Sequence, residues 1–170
     1  MDKEHNITIK DFAELLRREQ PRLLRYACYR LGNADDAKDA LQDTCLKLCD
    51  RIANAERGEV GNLLSYVFRT LSNVCTSRLA VQGHVKTIPL NACLEMADIQ
   101  TEDNEEELRR VVELLGKIPE EQADVIRLRI YGNNSFAEVA EILSVPLPTV
   151  KSRFLYGMEK IRKAMNPTNH

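Results

Sequence analysis

Hydrophobic residues recur every three to four positions along the first half of the chain, a spacing that places them on one face of an α-helix. The pattern predicts four helices, over Ile9–Glu19, Pro21–Leu31, Ala34–Ile52 and Leu63–Val81. Because proline is tolerated in the first turn of a helix, Pro21 is interpreted as the start of the second one. Gly32 and Asn33 then separate that helix from the third, with Asn33 as the N-cap.

The second half of the chain has the same periodicity and predicts four further helices. One covers Glu105–Leu115, one begins at Pro119, one begins after Ser135, and the last covers Pro148–Met165. Ser135 and Glu138 have the spacing of a capping box, in which each side chain bonds the backbone of the other. Neither half shows the alternation typical of a strand. We therefore expect an all-α protein.

Charge divides the chain into three parts, although the overall net charge is only -2. Residues 1–83 have a net charge of +1, residues 84–107 of -6 and residues 108–170 of +3. Helical periodicity also weakens in the middle part, around Lys86–Asn91. These features predict a four-helix domain over 1–83 and a second helical domain over 108–170, joined by an acidic linker over 84–107.

Cysteine usage and hydropathy favour a cytoplasmic protein without membrane insertion. The five cysteines show no Cys-x-x-Cys spacing; they are Cys28, Cys45, Cys49, Cys75 and Cys93. We interpret them as buried thiols in a reducing compartment, although an odd count guarantees only one unpaired cysteine. No histidine lies at ligand spacing from Cys45 and Cys49, so no metal is expected. No apolar run approaches the roughly 18 residues of a membrane span.

The segment from Ser135 to Lys163 carries the clearest functional signal. It consists of a short predicted helix, a turn of three or four residues and a longer basic helix, which is the helix-turn-helix arrangement. In proteins of that kind the second helix enters the major groove of DNA. From Ser144 onward there are five basic residues and one acidic residue, so the local field is positive.

Candidate DNA contacts are the residues of the last helix that lie off its apolar stripe, together with one arginine of the helix that begins at Pro119. They are Thr149, Lys151, Ser152, Arg153, Tyr156, Lys160 and Arg129. Lysine neutralises phosphate charge, and arginine can bond two acceptors of a guanine at once. The alternative is a solvated basic helix end in an ordinary bundle, and the pattern alone leaves both interpretations open.

Both halves of the chain contain motifs of one family. In the second half these are Ile118–Glu120, Val125–Arg129, Ser135–Leu143 and Thr149–Arg153. They resemble region 4 of the extracytoplasmic-function (ECF) sigma factors. In the first half Arg22–Tyr26, Ala40–Leu48, Ser65–Arg69 and Asn73 resemble region 2 of the same family, in the same order and spacing. The resemblance implies an ECF-type sigma factor that binds core RNA polymerase and directs promoter-specific transcription initiation.

The resemblance implies that the third helix docks on the clamp helices of the polymerase β′ subunit. The matching residues are Asp39, Gln42, Asp43, Leu46 and Asp50. An apolar residue ringed by acids and an amide suits a partner surface with a basic rim. Without the family, a solvated acidic face with one stray leucine is the simpler interpretation. The polymerase β flap and an anti-sigma factor are the other protein partners that the resemblance implies.

The resemblance also implies that the first domain melts and reads the promoter -10 element, while the helix-turn-helix reads the -35 element as duplex. The matching loop covers residues 56–62, where two glycines let the backbone approach a flipped base. The candidate -10 contacts are Arg57, Asn62, Arg69, Asn73, Ser77 and Arg78. Tyr66 stands where the family usually has tryptophan, and either stacks on DNA or has a buried structural role.

The chain departs from the family pattern at several basic positions. The end of the fourth helix has one base, Arg78, where the family places several arginines, and Tyr156 and Met158 stand where arginine is frequent. Pro148 replaces a usual glycine. Fewer phosphate contacts predict weaker DNA affinity and a shallower salt dependence. The acidic linker, which in the family threads toward the polymerase active-site channel, either mimics nucleic acid or is a plain tether.

Two other functions fit parts of the sequence. A stand-alone helix-turn-helix repressor or activator, binding a palindrome as a dimer, leaves the first domain without a use. A sigma-like adaptor that binds polymerase or an antagonist without melting DNA is supported only by the scarcity of bases after Ser77. The sequence has no Gly-rich phosphate loop, no Cys/His dyad spacing and no paired carboxylates in an apolar setting, so we expect neither an enzyme nor a cofactor.

Overall fold

The computed structural model describes residues 7–54, 62–82 and 105–167, and all regular structure within them is α-helical. The predicted all-α class is therefore confirmed. The helices are α1 Ile9–Leu31, α2 Ala34–Ala53, α3 Leu63–Gln82, α4 Glu105–Leu115, α5 Glu120–Ile130, α6 Phe136–Leu143 and α7 Leu147–Met165. We refer to α1–α3 as the first unit and to α4–α7 as the second unit.

Helix α1 is continuous where two helices were predicted, so the division at Pro21 is wrong. Phe12, Leu23 and Ala27 are buried on a single stripe whose spacing stays in phase across Pro21. An interior proline costs roughly 3 kcal/mol, and burial of one large apolar side chain returns about 1.5–3 kcal/mol. The apolar stripe therefore outweighs the lost backbone hydrogen bond. A capping box between Thr8 and Asp11 fixes the start of the helix.

The first unit is a three-helix arrangement in which α1 packs against both α2 and α3. Tyr26 of α1 meets Phe68 of α3 edge to face, with ring centroids 5.9 Å apart. Asn33 caps α2 as predicted, because its side-chain oxygen accepts hydrogen bonds from the backbone of Asp35 and Asp36. Buried Cys28 is disulfide-bonded, so the expectation of thiols throughout is wrong at this position. Cys45, Cys49 and Cys75 are free.

The second unit packs α7 against α5 and α6. Gly157 permits the close approach of α7 to α5, since a Cβ at this position would lie 2.7 Å from Cδ1 of Ile126. The predicted capping box at the start of α6 is confirmed: Glu138 N donates to Ser135 Oγ at 3.1 Å, and Ser135 N donates to Glu138 Oε1 at 3.2 Å.

The two units contact each other through α1 with α5 and through α3 with α6. Arginine side chains of the first unit donate hydrogen bonds to backbone carbonyl oxygens of the second unit. Across residues 7–54, 62–82 and 105–167, no helix combines the length and hydropathy that crossing a membrane requires.

Candidate nucleic-acid and polymerase interfaces

Helices α6 and α7 form the predicted helix-turn-helix around a tight turn at Ser144. Ser144 has a left-handed backbone with φ of 56°. This conformation lets Val145 N return to the carbonyl oxygen of Ala140 at 3.1 Å, which ends α6. Phe136 of α6 and Phe154 of α7 then meet edge to face with centroids 5.1 Å apart. The crossing of the two helices is thus fixed by a backbone turn and an aromatic contact.

The candidate -35 residues of α7 share one outward face. Lys151, Ser152, Tyr156 and Lys160 are exposed, whereas Thr149 and Arg153 are half-buried. Tyr156 has 61% of its surface exposed. The first turn of α7 has no side-chain cap, since Pro146 occupies the N-cap position. The backbone N–H groups at that end therefore face no competing side-chain acceptor.

Two candidate arginines near α7 already have partners within the second unit. Arg153 Nη2 lies 3.8 Å from a carboxylate oxygen of Glu121. The Arg129 guanidinium lies over the ring of Phe136, 5.2 Å from its centroid. Because Glu121 is exposed, its pairing with Arg153 is weak and easily exchanged for another anion. Arg129 instead connects α5 to Phe136, the first residue of α6.

The candidate polymerase residues occupy one side of α2. Leu46 has 64% of its surface exposed, which is high for a large apolar side chain. Asp39, Gln42 and Asp50 are exposed around it, and Asp43 is half-buried. This is the acidic face with an apolar centre that the sequence indicated.

Asp43 and Arg78 were predicted to bind different partners, but in the structure they bind each other. Arg78 Nη2 donates to Asp43 Oδ2, which links α3 to α2. That hydrogen bond raises the pKa of Arg78 above its ordinary value. The candidate polymerase surface and the end of α3 are therefore contiguous.

The candidate -10 residues of α3 have different environments. Asn73 and Ser77 are exposed. Asn62 caps α3, with its Oδ1 accepting from Leu64 N at 3.1 Å and from Ser65 N at 3.3 Å. Arg57 and the rest of the loop over 56–61 lie outside the described residues. Tyr66 is half-buried, with the Arg51 guanidinium 5.1 Å from the centroid of its ring.

Arg69, a further -10 candidate, is bound to the helix-turn-helix instead of facing solvent freely. Its Nε donates to the carbonyl oxygen of Ile142 at 2.9 Å. Its Nη2 donates to the carbonyl oxygen of Glu141 at 2.6 Å and to Ser144 Oγ at 2.7 Å. No local pattern predicts this contact, because the partners of Arg69 lie more than 70 residues further along the chain.

Arg30 forms the centre of a second contact between the units that sequence reasoning missed. It is buried, and its Nη1 donates to Glu120 Oε1 at 2.8 Å while Nη2 lies 3.7 Å from Asp124 Oδ1. Burial raises the pKa of Asp124, and the nearby Arg30 only partly offsets this. Burial also acts to raise the pKa of Glu120, but Arg127 and Arg30 outweigh it, so that pKa is lowered.

An apolar groove of about 970 Å³ runs between α4, α5 and α7 on the second unit. Leu108, Ile126 and Met158 are among the residues that line it, together with Leu155, which is 67% exposed. An exposed apolar groove marks an interaction site for an apolar surface rather than for the charged backbone of DNA. The sequence indicated no such groove, since it arises only when the three helices pack.

Family models match both units of the chain. The model of sigma-70 region 2 matches residues 15–84, and the model of sigma-70 region 4 matches residues 114–163. The chain is 27% identical over 153 residues to the ECF RNA polymerase sigma-E factor of Haemophilus influenzae, covering 81% of this chain and 79% of that protein. It is 24% identical over 153 residues to the ECF RNA polymerase sigma factor SigW of Bacillus subtilis, covering 81% of this chain and 80% of that protein.

Solved structures share the fold. The sigma factor RpoE of Bartonella quintana, in complex with the anti-sigma factor NepR, aligns with a TM-score of 0.66 and 20% identity over 95% of this chain and 100% of that one. CnrH, in complex with the cytosolic domain of CnrY, aligns with a TM-score of 0.66 and 21% identity over 95% of this chain and 92% of that one. Since the two region models together match more than half of the residues, in the order in which the units occur, the chain belongs to the ECF-type sigma factors, which bind core RNA polymerase and direct promoter-specific transcription initiation.

Proposed function

We propose that this chain divides promoter recognition between its two units while α2 anchors it to core RNA polymerase. The observation that carries the proposal is a pair of exposed faces of opposite chemistry. On α2, acidic residues surround the uncovered Leu46, and on α7 basic and polar residues project from the second helix of a helix-turn-helix. The first face suits a protein with a basic rim, and the second suits a DNA major groove.

Helix α7 reads the -35 element in this proposal. Lys151 and Lys160 neutralise phosphates, Arg153 exchanges Glu121 for a base edge or phosphate, and Thr149 and Ser152 lie near the uncapped first turn. Arg129 supports the start of α6 through Phe136. Tyr156 adds an exposed ring to the same face.

Helix α3 and the loop before it read and open the -10 element. Asn73 and Ser77 are exposed on α3, Arg78 lies at its end, and Arg57 and Asn62 belong to the preceding loop. Arg69 lies on the same helix and acts there once it is released from α6. The boundaries that we propose are region 2 over 1–83, a linker over 84–107 and region 4 over 108–170.

Two surfaces bind protein partners in this proposal. The face of α2 around Leu46 docks on the β′ clamp helices, and the apolar groove between α4, α5 and α7 takes the β flap. Because the solved structure of RpoE was determined with the anti-sigma factor NepR, and that of CnrH with the cytosolic domain of a second protein, CnrY, we propose that an anti-sigma factor restrains this chain as well. The chain acts in the cytoplasm, where polymerase is, and contributes positioning rather than catalysis.

Transcription in vitro with purified core polymerase and a promoter library tests the proposal. Specific initiation that depends on the chain is the expected result. Leu46→Gln is expected to weaken polymerase binding about tenfold or more, since burying a leucine contributes about 1.5–3 kcal/mol. The matched control is Ile9→Gln, which also replaces an exposed large apolar side chain by glutamine, but on α1. Equal loss in both variants, or no polymerase binding by the wild type, contradicts the proposal.

A further inference from the structure

Two free cysteines lie one helical turn apart on α2, at the edge of the face around Leu46. We propose that Cys45 and Cys49 form a dithiol site that binds a trivalent arsenical, and that its occupation blocks this face from docking on polymerase. Arsenical binding depends on the two thiols alone, whereas its effect on docking rests on the proposed polymerase role of α2.

Cys45 and Cys49 are neighbours on the surface of α2, because residues four positions apart share one face of a helix. Both thiols are free and half-buried, so neither residue is enclosed by the core. Burial raises the pKa of Cys45, and the neighbouring Cys49 adds to the rise, which places the two thiols within electrostatic reach of each other. The pair therefore offers two sulfur atoms to one ligand atom.

The other described cysteines offer no such site. Cys28 is disulfide-bonded and buried. Cys75 is free but exposes none of its surface, and burial raises the pKa of its thiol to about 12. A structural thiol buried in this way is inert. Within residues 7–54, 62–82 and 105–167, accessible paired thiols are therefore confined to α2.

The spacing of the two thiols selects the kind of ligand. Zinc takes four ligands in a structural site, and no group of three or more His, Cys, Asp or Glu among the described residues could hold a metal ion. A disulfide needs Cβ atoms roughly 3.5–4.5 Å apart, whereas residues four apart on a helix have theirs roughly 5–6 Å apart. A bridging atom between the two sulfurs spans this gap without unwinding α2. The lack of a nearby histidine, which argued against a metal, is no obstacle to a ligand that needs only two thiols.

A trivalent arsenical with one carbon group has two positions to exchange. In its hydrated form the arsenic is bonded to one carbon and two hydroxyl groups. Two As–S bonds form, two As–O bonds break, and the two thiol protons leave with the hydroxyl groups as two molecules of water. Arsenic stays trivalent, so the step needs no oxidant or reductant. Attachment through two linked thiols should raise the affinity about 10²–10⁴-fold over attachment through one.

Occupation of the dithiol changes the face around Leu46. Cys49 lies three positions after Leu46, and Cys45 lies three positions after Gln42, so both thiols line one edge of that face. The carbon group on the arsenic then stands beside Leu46, which is 64% exposed. A partner surface that packs over Leu46 meets this group as a steric clash, and clashes of this kind suppress binding.

Titration of the full chain with phenylarsine oxide in thiol-free buffer, followed by intact mass spectrometry, tests the site. The wild type should take up one phenylarsenic group in place of two thiol hydrogens. Cys45→Ser and Cys49→Ser should each weaken binding at least about a hundredfold, because either variant leaves a single thiol on α2. Cys75→Ala is the matched control, since it removes a free but buried thiol, and it should bind as the wild type does. Equal affinity of the wild type and the folded serine variants refutes the site.

Binding of core polymerase to the loaded chain, after free reagent is removed, tests the effect on docking. Loading should lower the affinity of the wild type about tenfold. Cys49→Ser treated in the same way should keep the affinity that it has untreated. An unchanged affinity of the loaded wild type refutes the effect on docking. If the untreated wild type does not bind polymerase, the proposed polymerase function fails, while the mass spectrometry still decides the dithiol site.

Discussion

The rings of Tyr29 and Tyr131 lie parallel, with centroids 3.9 Å apart and an interplanar angle of 4°. Tyr29 belongs to α1 and Tyr131 directly follows α5, so this stack joins the two units. Both residues are buried. Burial raises the pKa of Tyr131, and the neighbouring Tyr29 adds to the effect. Both phenols therefore stay neutral, and the stack is an apolar contact at an otherwise polar seam.

The stack should appear as a coupling energy in a double-mutant cycle. We expect Tyr29→Leu and Tyr131→Leu to be less than additive by about 0.5–1.5 kcal/mol, since aromatic pairs contribute that much beyond their buried area. Chemical denaturation of the single and double variants measures it. Pairing Tyr29→Leu with Phe154→Leu, which lies in the helix-turn-helix, supplies an uncoupled control. If the losses of unfolding free energy in Tyr29→Leu and Tyr131→Leu were fully additive, the two rings would not be in contact in the species that unfolds. The two units would then separate before either unit unfolds.

A side chain at Gly132 is expected to destabilise the fold. A Cβ there would lie 2.7 Å from the carbonyl oxygen of Leu128 and 3.1 Å from Cε1 of Phe68. Since the first of these atoms is backbone, Gly132→Ala forces the loop to move and should cost about 1–3 kcal/mol of unfolding free energy. Thermal unfolding followed by circular dichroism gives the comparison. Gly116→Ala, where the nearest atom is 3.3 Å away, should cost clearly less; equal losses would remove the steric explanation.

Local features of the fold were predictable because their causes are local. Asn33 caps α2, and Ser135 and Glu138 cap α6, through bonds that span two or three residues. The helix-turn-helix and the uncovered Leu46 follow from periodicity in the same way. Residues that act over one helical turn leave a pattern in the sequence.

The hydrogen bonds between the two units left no such pattern. Arg22 and its acceptor at Gly132 are 110 positions apart, and its acceptors there are mostly backbone carbonyls, which every residue has. The continuity of α1 was not predicted for a different reason: proline is typical of a helix start, but the buried stripe from Phe12 to Ala27 continues through Pro21. Arg69 shows the consequence for the site: its residue type suggested DNA, but its environment is the end of α6.

Lys151 should contribute to DNA binding through charge alone. It is exposed on α7, so Lys151→Gln removes one phosphate contact and should make the slope of log affinity against log salt shallower by about 0.9. Binding of the polymerase complex to duplex promoter DNA at several salt concentrations measures the slope. Lys10→Gln makes the same substitution at an exposed residue of α1 and should leave it unchanged. A slope that does not move in Lys151→Gln would place this lysine off the phosphate backbone.

Asp124 and Glu120 should give stability effects of opposite sign. The pKa of Asp124 is raised by burial, so the folded chain holds this proton more tightly than the unfolded chain. Its contribution to stability is complete below the ordinary pKa of 3.8 and is lost as the pH rises through the folded value. Asp124→Asn should therefore be more stable than the wild type at neutral pH, with the gain shrinking in acid.

For Glu120 the expected change in stability has the opposite sign, because Arg127 and Arg30 overcome the effect of burial and lower the pKa of its carboxyl group. Its contribution is present above the ordinary pKa of 4.5 and is lost as the pH falls through the folded value. Glu120→Gln should therefore be less stable than the wild type at neutral pH, and the difference should close on acidification. Urea unfolding of both variants and of the wild type, at neutral and mildly acidic pH, measures the sign of each change in unfolding free energy. If Asp124→Asn were less stable than the wild type at neutral pH, the wild-type Asp124 carboxylate would be ionised and paired with Arg30. The attraction between these two charges would then outweigh the cost of burying the carboxylate.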